Sequence, residues 1–219
     1  MKKLQSSLVN MVLVLGAVSI LAATLLATVN LLTAEPIRQA EAAKQENAVK
    51  EVTPAFDNSP IADKVMFTDA EGFEMACYPA KMDGRLVGVA VETASNKGFN
   101  GQIRLMVGFT PEGDIVNYSV LEQGETPGLG AKMGTWFKTD KNRQNVCGLN
   151  PGRNRMTVSK DGGEVDAITA ATISSRAFLD AVNRAYASFL KIQNVSDTVA
   201  VDALSSATVS QAEGKEVQQ

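Results

Sequence analysis

The sequence predicts an α+β protein in which an N-terminal transmembrane helix precedes one mixed sheet-and-helix domain. The first observation is an uncharged, apolar stretch over 8–33. The second is a set of β-branched or alternating runs at 84–92, 103–109 and 115–121, which is the pattern of half-buried strands. The third is the helical spacing of apolar residues over 174–191. Together they predict an anchored sheet with a helix packed on it.

The apolar stretch 8–33 is predicted to be a retained membrane anchor. A helix needs about 20 apolar residues to cross the hydrocarbon core, whereas the apolar region of a signal peptide has about 7–15 and ends at a small-x-small site. Cleavage after Ala34 would place Leu32 where a small residue is required. Lys2 and Lys3 precede the stretch, so the positive-inside rule keeps the N-terminus cytoplasmic and the rest of the chain extracytoplasmic.

The rest of the chain is predicted to form one domain between a linker and a tail. A polar helix rich in Ala, Glu, Lys and Gln follows the anchor until Pro54, and the region after residue 192 contains no aromatic residue. A turn at 111–114 joins two strands as a hairpin, the Gly-rich region 122–155 is a long loop, and a short strand is expected at 155–159. The expected segments are 1–7 cytoplasmic, 8–33 transmembrane, 34–60 linker, 61–192 domain and 193–219 flexible tail.

Composition excludes several classes of function. The net charge is −3 and no Lys/Arg cluster occurs, so no nucleic-acid partner is expected. The chain has no His, which excludes Ser-His-Asp and Cys-His catalysis and His-based metal sites, so any chemistry is expected to come from a cofactor. Cys77 and Cys147 are too far apart for a CxxC pair, and a disulfide and two free thiols both remain open.

A stretch of small and hydroxyl residues lies just before the predicted helix at 174–191. It contains Thr169, Ala170, Ala171 and Thr172, preceded by Asp166. Free N–H groups and the positive end of a helix favour a phosphate at such a place. Ordinary helix capping by Thr or Ser is the alternative that these residues alone leave open.

The same stretch resembles the flavin-attachment motif of the FMN-binding domain shared by two membrane proteins. These are the G subunit of the Rnf electron-transport complex and the C subunit of the sodium-translocating NADH:quinone oxidoreductase. The resemblance implies that Thr172 carries FMN covalently through a phosphoester, with Asp166 as the acidic recognition residue and Thr169 and Ala171 as the family's hydroxyl and Ala positions. The family usually has Gly where this chain has Ala170, so a positive φ at Ala170 would strain the loop.

A second match lies about 45 residues earlier in the chain. It resembles the family's ETPGLG loop, which lies against the flavin and consists here of Glu125, Thr126, Pro127, Gly128, Leu129 and Gly130. The two glycines let backbone approach a planar ring, Pro127 stiffens the turn, and Leu129 offers an apolar contact. Weaker likeness extends through 78–80, 98–101 and the helix after Thr172.

The resemblance implies an electron-carrying subunit of a membrane-bound, ion-translocating oxidoreductase of the Rnf type, linked to ferredoxin and NAD. It further implies a place in the bacterial inner membrane, contacts with the other membrane subunits, a flavin transferase during maturation, and no stand-alone catalysis or metal site. The segment 31–37 looks more like the Rnf subunit than the quinone-reductase subunit. The quinone-reductase C-type subunit and a membrane-tethered sensory module without covalent flavin are the alternatives.

Overall fold

The computed structural model describes residues 8–69 and 71–213, with side chains described as far as residue 193. The chain divides into two compact units, 1–45 and 46–219, and the first helix contributes to both. The α+β architecture predicted from the sequence is confirmed. The elements are α1 (Leu8–Val52), β1 (Val65–Thr68), β2 (Glu74–Met82), β3 (Arg85–Gly98), β4 (Gly101–Phe109), β5 (Ile115–Glu122), α2 (Met133–Trp136) and α3 (Thr172–Glu213), with 3₁₀ turns at Gly130–Lys132 and Ser159–Asp161.

In the first unit, the described residues all belong to α1. The large apolar side chains of this helix are exposed, and it is the one helix among the described residues that is long and apolar enough to cross a membrane. The hydroxyls of Thr24, Thr28 and Thr33 each donate to the carbonyl one turn earlier, at 2.7–2.8 Å. Such local bonds satisfy a hydroxyl in lipid, where no water is available. The anchor predicted at 8–33 therefore lies within one continuous helix.

The second unit is built on a five-stranded antiparallel sheet whose strands follow chain order from β1 to β5. The predicted hairpin is confirmed, because β4 pairs with β5 and Val107 lies opposite Tyr118. Strands β1 and β2 are additions to the three main predicted strands. The sequence does not predict β2, because this strand contains Pro79, which has no backbone N–H to donate. Pro79 is tolerated because β1 pairs with β2 only as far as Cys77 and leaves this part of the strand at the sheet edge.

Helix α3 covers one face of the sheet, as its amphipathic pattern predicts. The largest buried side chains of the unit meet there, and Phe178 is central among them. Its ring stacks on Phe137 at a centroid distance of 4.2 Å and meets the edge of Tyr118 at 4.8 Å. Aromatic pairs in these geometries add to the free energy gained by burying their apolar area.

The last turns of α1 cover the opposite face. Ala48, Val49 and Val52 are buried against a second apolar cluster that includes residues of β2, β3 and β4. The contact is very close at Gly108, where a Cβ atom would lie 1.7 Å from the carbonyl oxygen of Val52. Glu51 adds polar contacts, because its carboxylate accepts a hydrogen bond from the Ser119 hydroxyl at 2.8 Å.

These contacts correct the linker expected over 34–60. The packed unit begins near residue 46 rather than at residue 61. The reason is that the small apolar face of Ala48, Val49 and Val52 is diluted by the charged residues around it, so composition alone indicates a solvated stalk. The closest contact on its partner surface is the backbone at Gly108, which has no side chain that a sequence pattern could show.

The long region between β5 and α3 contains little regular structure. The strand expected at 155–159 is reduced to a single parallel bridge between Val158 and Val165. Both valines are buried, but the chain turns at once into the 3₁₀ segment Ser159–Asp161 and then Gly162, whose φ is +78°. The turn therefore ends the pairing before a ladder can form.

Helix α3 is longer than the predicted 174–191, since it extends from Thr172 to Glu213. The flexible tail expected from residue 193 is therefore helical as far as residue 213, while 214–219 lie outside the described residues. No Gly or Pro interrupts the sequence until Gly214, so no local signal ends the helix earlier.

Both cysteines are free thiols in the structure. Cys77 is fully buried in the sheet, and burial raises its pKa to about 12. Cys147 is half-buried, and burial raises its pKa as well. Both groups are therefore held in the protonated, weakly reactive form.

The Gly108 contact makes a stability prediction. We expect Gly108→Ala to lower the free energy of unfolding of the second unit by about 3 kcal/mol, because its methyl group would overlap the Val52 carbonyl and displace the end of α1. Denaturation of the full chain in detergent, followed by near-ultraviolet circular dichroism, measures the change. The matched control is Gly134→Ala, where a Cβ has no neighbour within 4 Å. Equal stability of the two variants would contradict the close packing.

Candidate functional site

A cavity of about 350 Å³ opens beside the first turn of α3. Three segments form its wall: the β3–β4 turn, the loop after β5 and the loop that leads into α3. The lining residues are Phe99, Glu125, Thr126, Leu129, Gly130, Ala170, Ala171, Thr172, Ile173 and Ser174. The two motifs predicted from the sequence therefore meet at one site, although they lie far apart in the chain.

One segment of the cavity wall is a tight turn formed by residues 126–129. The amide of Leu129 donates to the carbonyl of Thr126 at 3.1 Å, and Gly128 has a φ of +78°. A Pro at the second position and a Gly with positive φ at the third are typical of a type II turn. Pro127 and Gly128 thus fix the backbone so that Leu129 lines the cavity.

Another segment of the cavity wall is a turn formed by residues 168–171. The amide of Ala171 donates to the carbonyl of Ile168 at 3.0 Å, and Ala170 has a φ of +60°. The hydroxyl of Ser175 accepts from the Ile168 amide and donates to the Ala171 carbonyl, both at 2.9 Å. This turn therefore needs a left-handed residue at Ala170, as the comparison with the family's Gly anticipated, and Ser175 holds it in place.

Thr172 is the first residue of α3, and it lines the cavity. The opening amides of a helix have no partners within the helix, and the helix dipole is positive there. A phosphate attached at or near Thr172 would meet these groups. The hydroxyl itself is an ordinary alcohol, and among the described residues of the wall the sole ionisable group is the Glu125 carboxylate.

Glu125 is a buried carboxylate, 5% exposed, in the wall of the cavity. One of its oxygens accepts a hydrogen bond from the Ser174 hydroxyl at 2.6 Å, and the other accepts from the amide of Asn100 at 3.1 Å. Glu125 therefore contacts both of the other segments that form the wall.

The mouth of the cavity is apolar. Phe99, Leu129 and Ile173 line it with 65%, 40% and 48% of their surfaces exposed. Exposed apolar groups that converge on a cleft are typical of ligand sites, where polar groups fix the orientation and apolar groups supply contact area.

Asp166 lies outside the wall of the cavity. Its carboxylate accepts from the Ser159 hydroxyl at 2.7 Å and from the Arg143 amide at 3.2 Å, and its carbonyl accepts from the Trp136 indole at 3.0 Å. The Ser159 hydrogen bond is the main cause, with Arg143, of a pKa below the ordinary value for Asp166. The ionised Asp166 carboxylate therefore stabilises the folded state at neutral pH, and this contribution is lost as pH falls through the lowered pKa.

The structure thus brings together seven of the ten residues predicted for cofactor binding. They are Glu125, Thr126, Leu129, Gly130, Ala170, Ala171 and Thr172. Gly128, Asp166 and Thr169 support the loops or face outward and do not line the cavity. Phe99, Ile173 and Ser174 line it without having been predicted as site residues. A large aromatic residue in a tight Gly-Phe-Asn-Gly turn is the signal that could have indicated Phe99.

Comparisons with known proteins support the predicted resemblance. Residues 98–187 match the family model described as the FMN-binding domain, and residues 1–52 match the RnfG N-terminal region. The first match contains both loops of the cavity. The resemblance predicted from the two motifs is therefore confirmed.

Similar proteins include the G subunit of the ion-translocating oxidoreductase complex of Shewanella loihica, which is 36% identical over 141 residues. That alignment covers 61% of this chain and 65% of the relative. The corresponding G subunit of Vibrio cholerae is 39% identical over 115 residues, covering 51% and 54%. The chain thus spans between about half and two thirds of the length of these relatives. A crystal structure of Shewanella oneidensis NqrC is 23% identical with a TM-score of 0.38, covering 61% of this chain and 63% of that one.

The residues of the cavity fit a flavin mononucleotide. Phe99, Leu129 and Ile173 offer apolar surface to a planar ring, and Thr172 offers a hydroxyl at the start of a helix, where a phosphate is favoured. The positive φ of Ala170 turns the backbone into this helix start. Apolar area and a phosphate position therefore adjoin in one cleft, as the two chemically different parts of FMN require.

The strain at Ala170 makes a prediction about stability. We expect Ala170→Gly to raise the free energy of unfolding by up to about 1 kcal/mol, because relief of the left-handed Ala outweighs the added freedom of Gly in the unfolded chain. Chemical denaturation measures it. The control is Ala171→Gly, where φ is not positive and a loss of about 1 kcal/mol is expected. Destabilisation by both variants alike would contradict the assigned turn.

Proposed function

We propose that this chain is an electron-transfer subunit of a membrane-bound, ion-translocating oxidoreductase of the Rnf type, and that it carries FMN through a phosphoester to Thr172. The single observation that carries the proposal is the position of Thr172. It is the first residue of α3 and lies in the cavity formed by the two motif loops. The names of the relatives and the FMN-binding match agree with this function.

Attachment would use the Thr172 hydroxyl once. The described wall contains no His or Lys that could deprotonate it, and the Glu125 carboxylate already accepts two hydrogen bonds. The described wall therefore offers no carboxylate, amine or imidazole without a partner to act as base, which favours activation of this alcohol by a separate flavin transferase. The exposed mouth of the cavity leaves Thr172 open to such an enzyme before the site is filled.

Once bound, FMN supplies reversible acceptance and donation of electrons, and the protein binds and orients it. The left-handed turn at Ala170 sets the approach of the backbone to Thr172. Leu129, Phe99 and Ile173 exclude water from the side of the cleft that they cover. The chain therefore acts as a holder that fixes one cofactor, and we infer that its electron partners are other membrane subunits of the same complex.

The orientation of the domain follows from charge at the membrane. Lys2 and Lys3 precede the apolar span of α1, and the flank after it carries mixed charges, among them the pair between Glu35 and Arg38. The positive-inside rule then places the second unit on the extracytoplasmic side. A covalent link is useful there, since free FMN lost from the site could not readily be replaced.

Covalent attachment is tested on a denaturing gel. We expect the full chain, co-expressed with a flavin transferase, to give a fluorescent band under ultraviolet light, and we expect Thr172→Ala to remove the fluorescence completely. Thr169→Ala is the matched control, because it removes a neighbouring hydroxyl that is exposed and does not line the cavity. A dark band for the unaltered chain would contradict covalent attachment and favour a tethered binding module.

Topology is tested with reporter fusions. We expect alkaline phosphatase fused after residue 219 to be active and green fluorescent protein at the same point to be dark, because the positive-inside rule places this end outside the cytoplasm. A matched pair fused after residue 3 should give the opposite result. Fluorescence from the C-terminal fusion would overturn the orientation.

A further inference from the structure

The wall of the cavity depends on one side chain. Glu125 belongs to the loop after β5, but its carboxylate oxygens are bonded to Asn100 in the β3–β4 turn and to Ser174 in the first turn of α3. The three segments have no sequence continuity with one another, and Glu125 connects them. Ser174 is itself 2% exposed, so this part of the wall is shielded from solvent.

The glycines around Glu125 show how tightly the carboxylate is enclosed. A Cβ on Gly130 would lie 2.7 Å from one of its oxygens and 2.4 Å from the Ser174 hydroxyl. A Cβ on Gly98 would lie 2.7 Å from the other oxygen. A larger residue at either position would overlap the carboxylate, and at Gly98 it would also overlap the carbonyl oxygen of Gly101, 2.3 Å from the Cβ position.

The charge of Glu125 has a second consequence. Both of its hydrogen-bond partners are uncharged groups, and it is the one ionisable residue among the described residues that line the cavity. A charge in a shielded site is screened less than one on the surface. Reduction of a flavin adds electrons and thus negative charge, which a nearby carboxylate opposes.

We propose that Glu125 is a positioning residue that holds the 98–101 turn, the 126–130 loop and the start of α3 together as one wall, and that its charge lowers the reduction potential of the bound flavin. The inference rests on the proposed function for its second part. Its first part concerns the chain alone and holds whether or not flavin is bound.

The first experiment uses the full chain with Thr172→Ala, which cannot carry covalent flavin. Hydrogen exchange at the Asn100 amide is compared with and without Glu125→Gln. We expect exchange to accelerate about tenfold or more, because the hydrogen bond to a charged acceptor is lost or weakened. Ser174→Ala should accelerate exchange of the Asn100 amide less, since it removes only the other contact. Unchanged exchange at Asn100 in Glu125→Gln would overturn the positioning role.

The second experiment measures the midpoint potential of the flavin-loaded full chain. We expect Glu125→Gln to shift the one-electron reduction equilibrium about tenfold toward the reduced form, which is about 59 mV upward. Glu122→Gln is the matched control, because Glu122 is exposed and the substitution removes the same single negative charge. Ser174→Ala keeps the charge of Glu125 and should move the potential less. Equal shifts for Glu122→Gln and Glu125→Gln would overturn the electrostatic role.

The two experiments separate the failures. A chain that never acquires flavin refutes the proposed function and the effect on potential, while exchange at Asn100 still decides the positioning role. If the flavin-loaded chain has the same midpoint potential with and without Glu125→Gln, the electrostatic role alone is refuted. Glu125→Asp distinguishes position from charge, because it keeps the negative charge but shortens the side chain. It should accelerate exchange at the Asn100 amide, as Glu125→Gln does, and leave the midpoint potential close to that of the unaltered chain.

Discussion

The sheet of the second unit is apolar on both faces, and the need to cover both determines where everything else lies. Helix α3 covers one face through Phe178 and its neighbours, and the last turns of α1 cover the other. The absence of a side chain at Gly108 brings the carbonyl of Val52 directly onto the backbone of β4. With both faces closed, the start of α3 and the loops around it remain for a ligand, and the cavity is found there.

Much of this arrangement could be predicted from the sequence, because it is encoded in periodicity. The alternation in β4 and β5 and the helical spacing after Ser174 indicated the elements and the packing of α3. Strand β2 was missed because Pro79 interrupts the pattern, although its place at the sheet edge makes that proline harmless. The docking of α1 was missed because charged neighbours dilute its small apolar face, and because its closest contact is with the backbone at Gly108, which has no side-chain pattern.

The site shows a similar division. The motif residues could be predicted because both loops resemble motifs of the FMN-binding family. Gly128 suits the positive φ of its turn, whereas Ala170 adopts a positive φ where the family usually has Gly. The enclosing contacts could not be predicted, since the bond between Glu125 and Ser174 joins residues from separate elements. Asp166 illustrates the limit of reading a motif as a list of ligands. It belongs to the motif, yet its contacts to Ser159, Arg143 and Trp136 place it among the residues that support the loop.

The two turns also differ in how they obtain the same backbone shape. In the loop at 126–129, Gly128 adopts positive φ without a steric penalty. In the loop at 168–171, Ala170 adopts it at a cost of about 1–2 kcal/mol, and the loop keeps its shape because Ser175 bonds to both of its ends. A strained backbone conformation persists only where surrounding contacts determine it. Ser175 therefore holds the loop in the conformation that strains Ala170, and the cost of that strain falls on the stability of the loop.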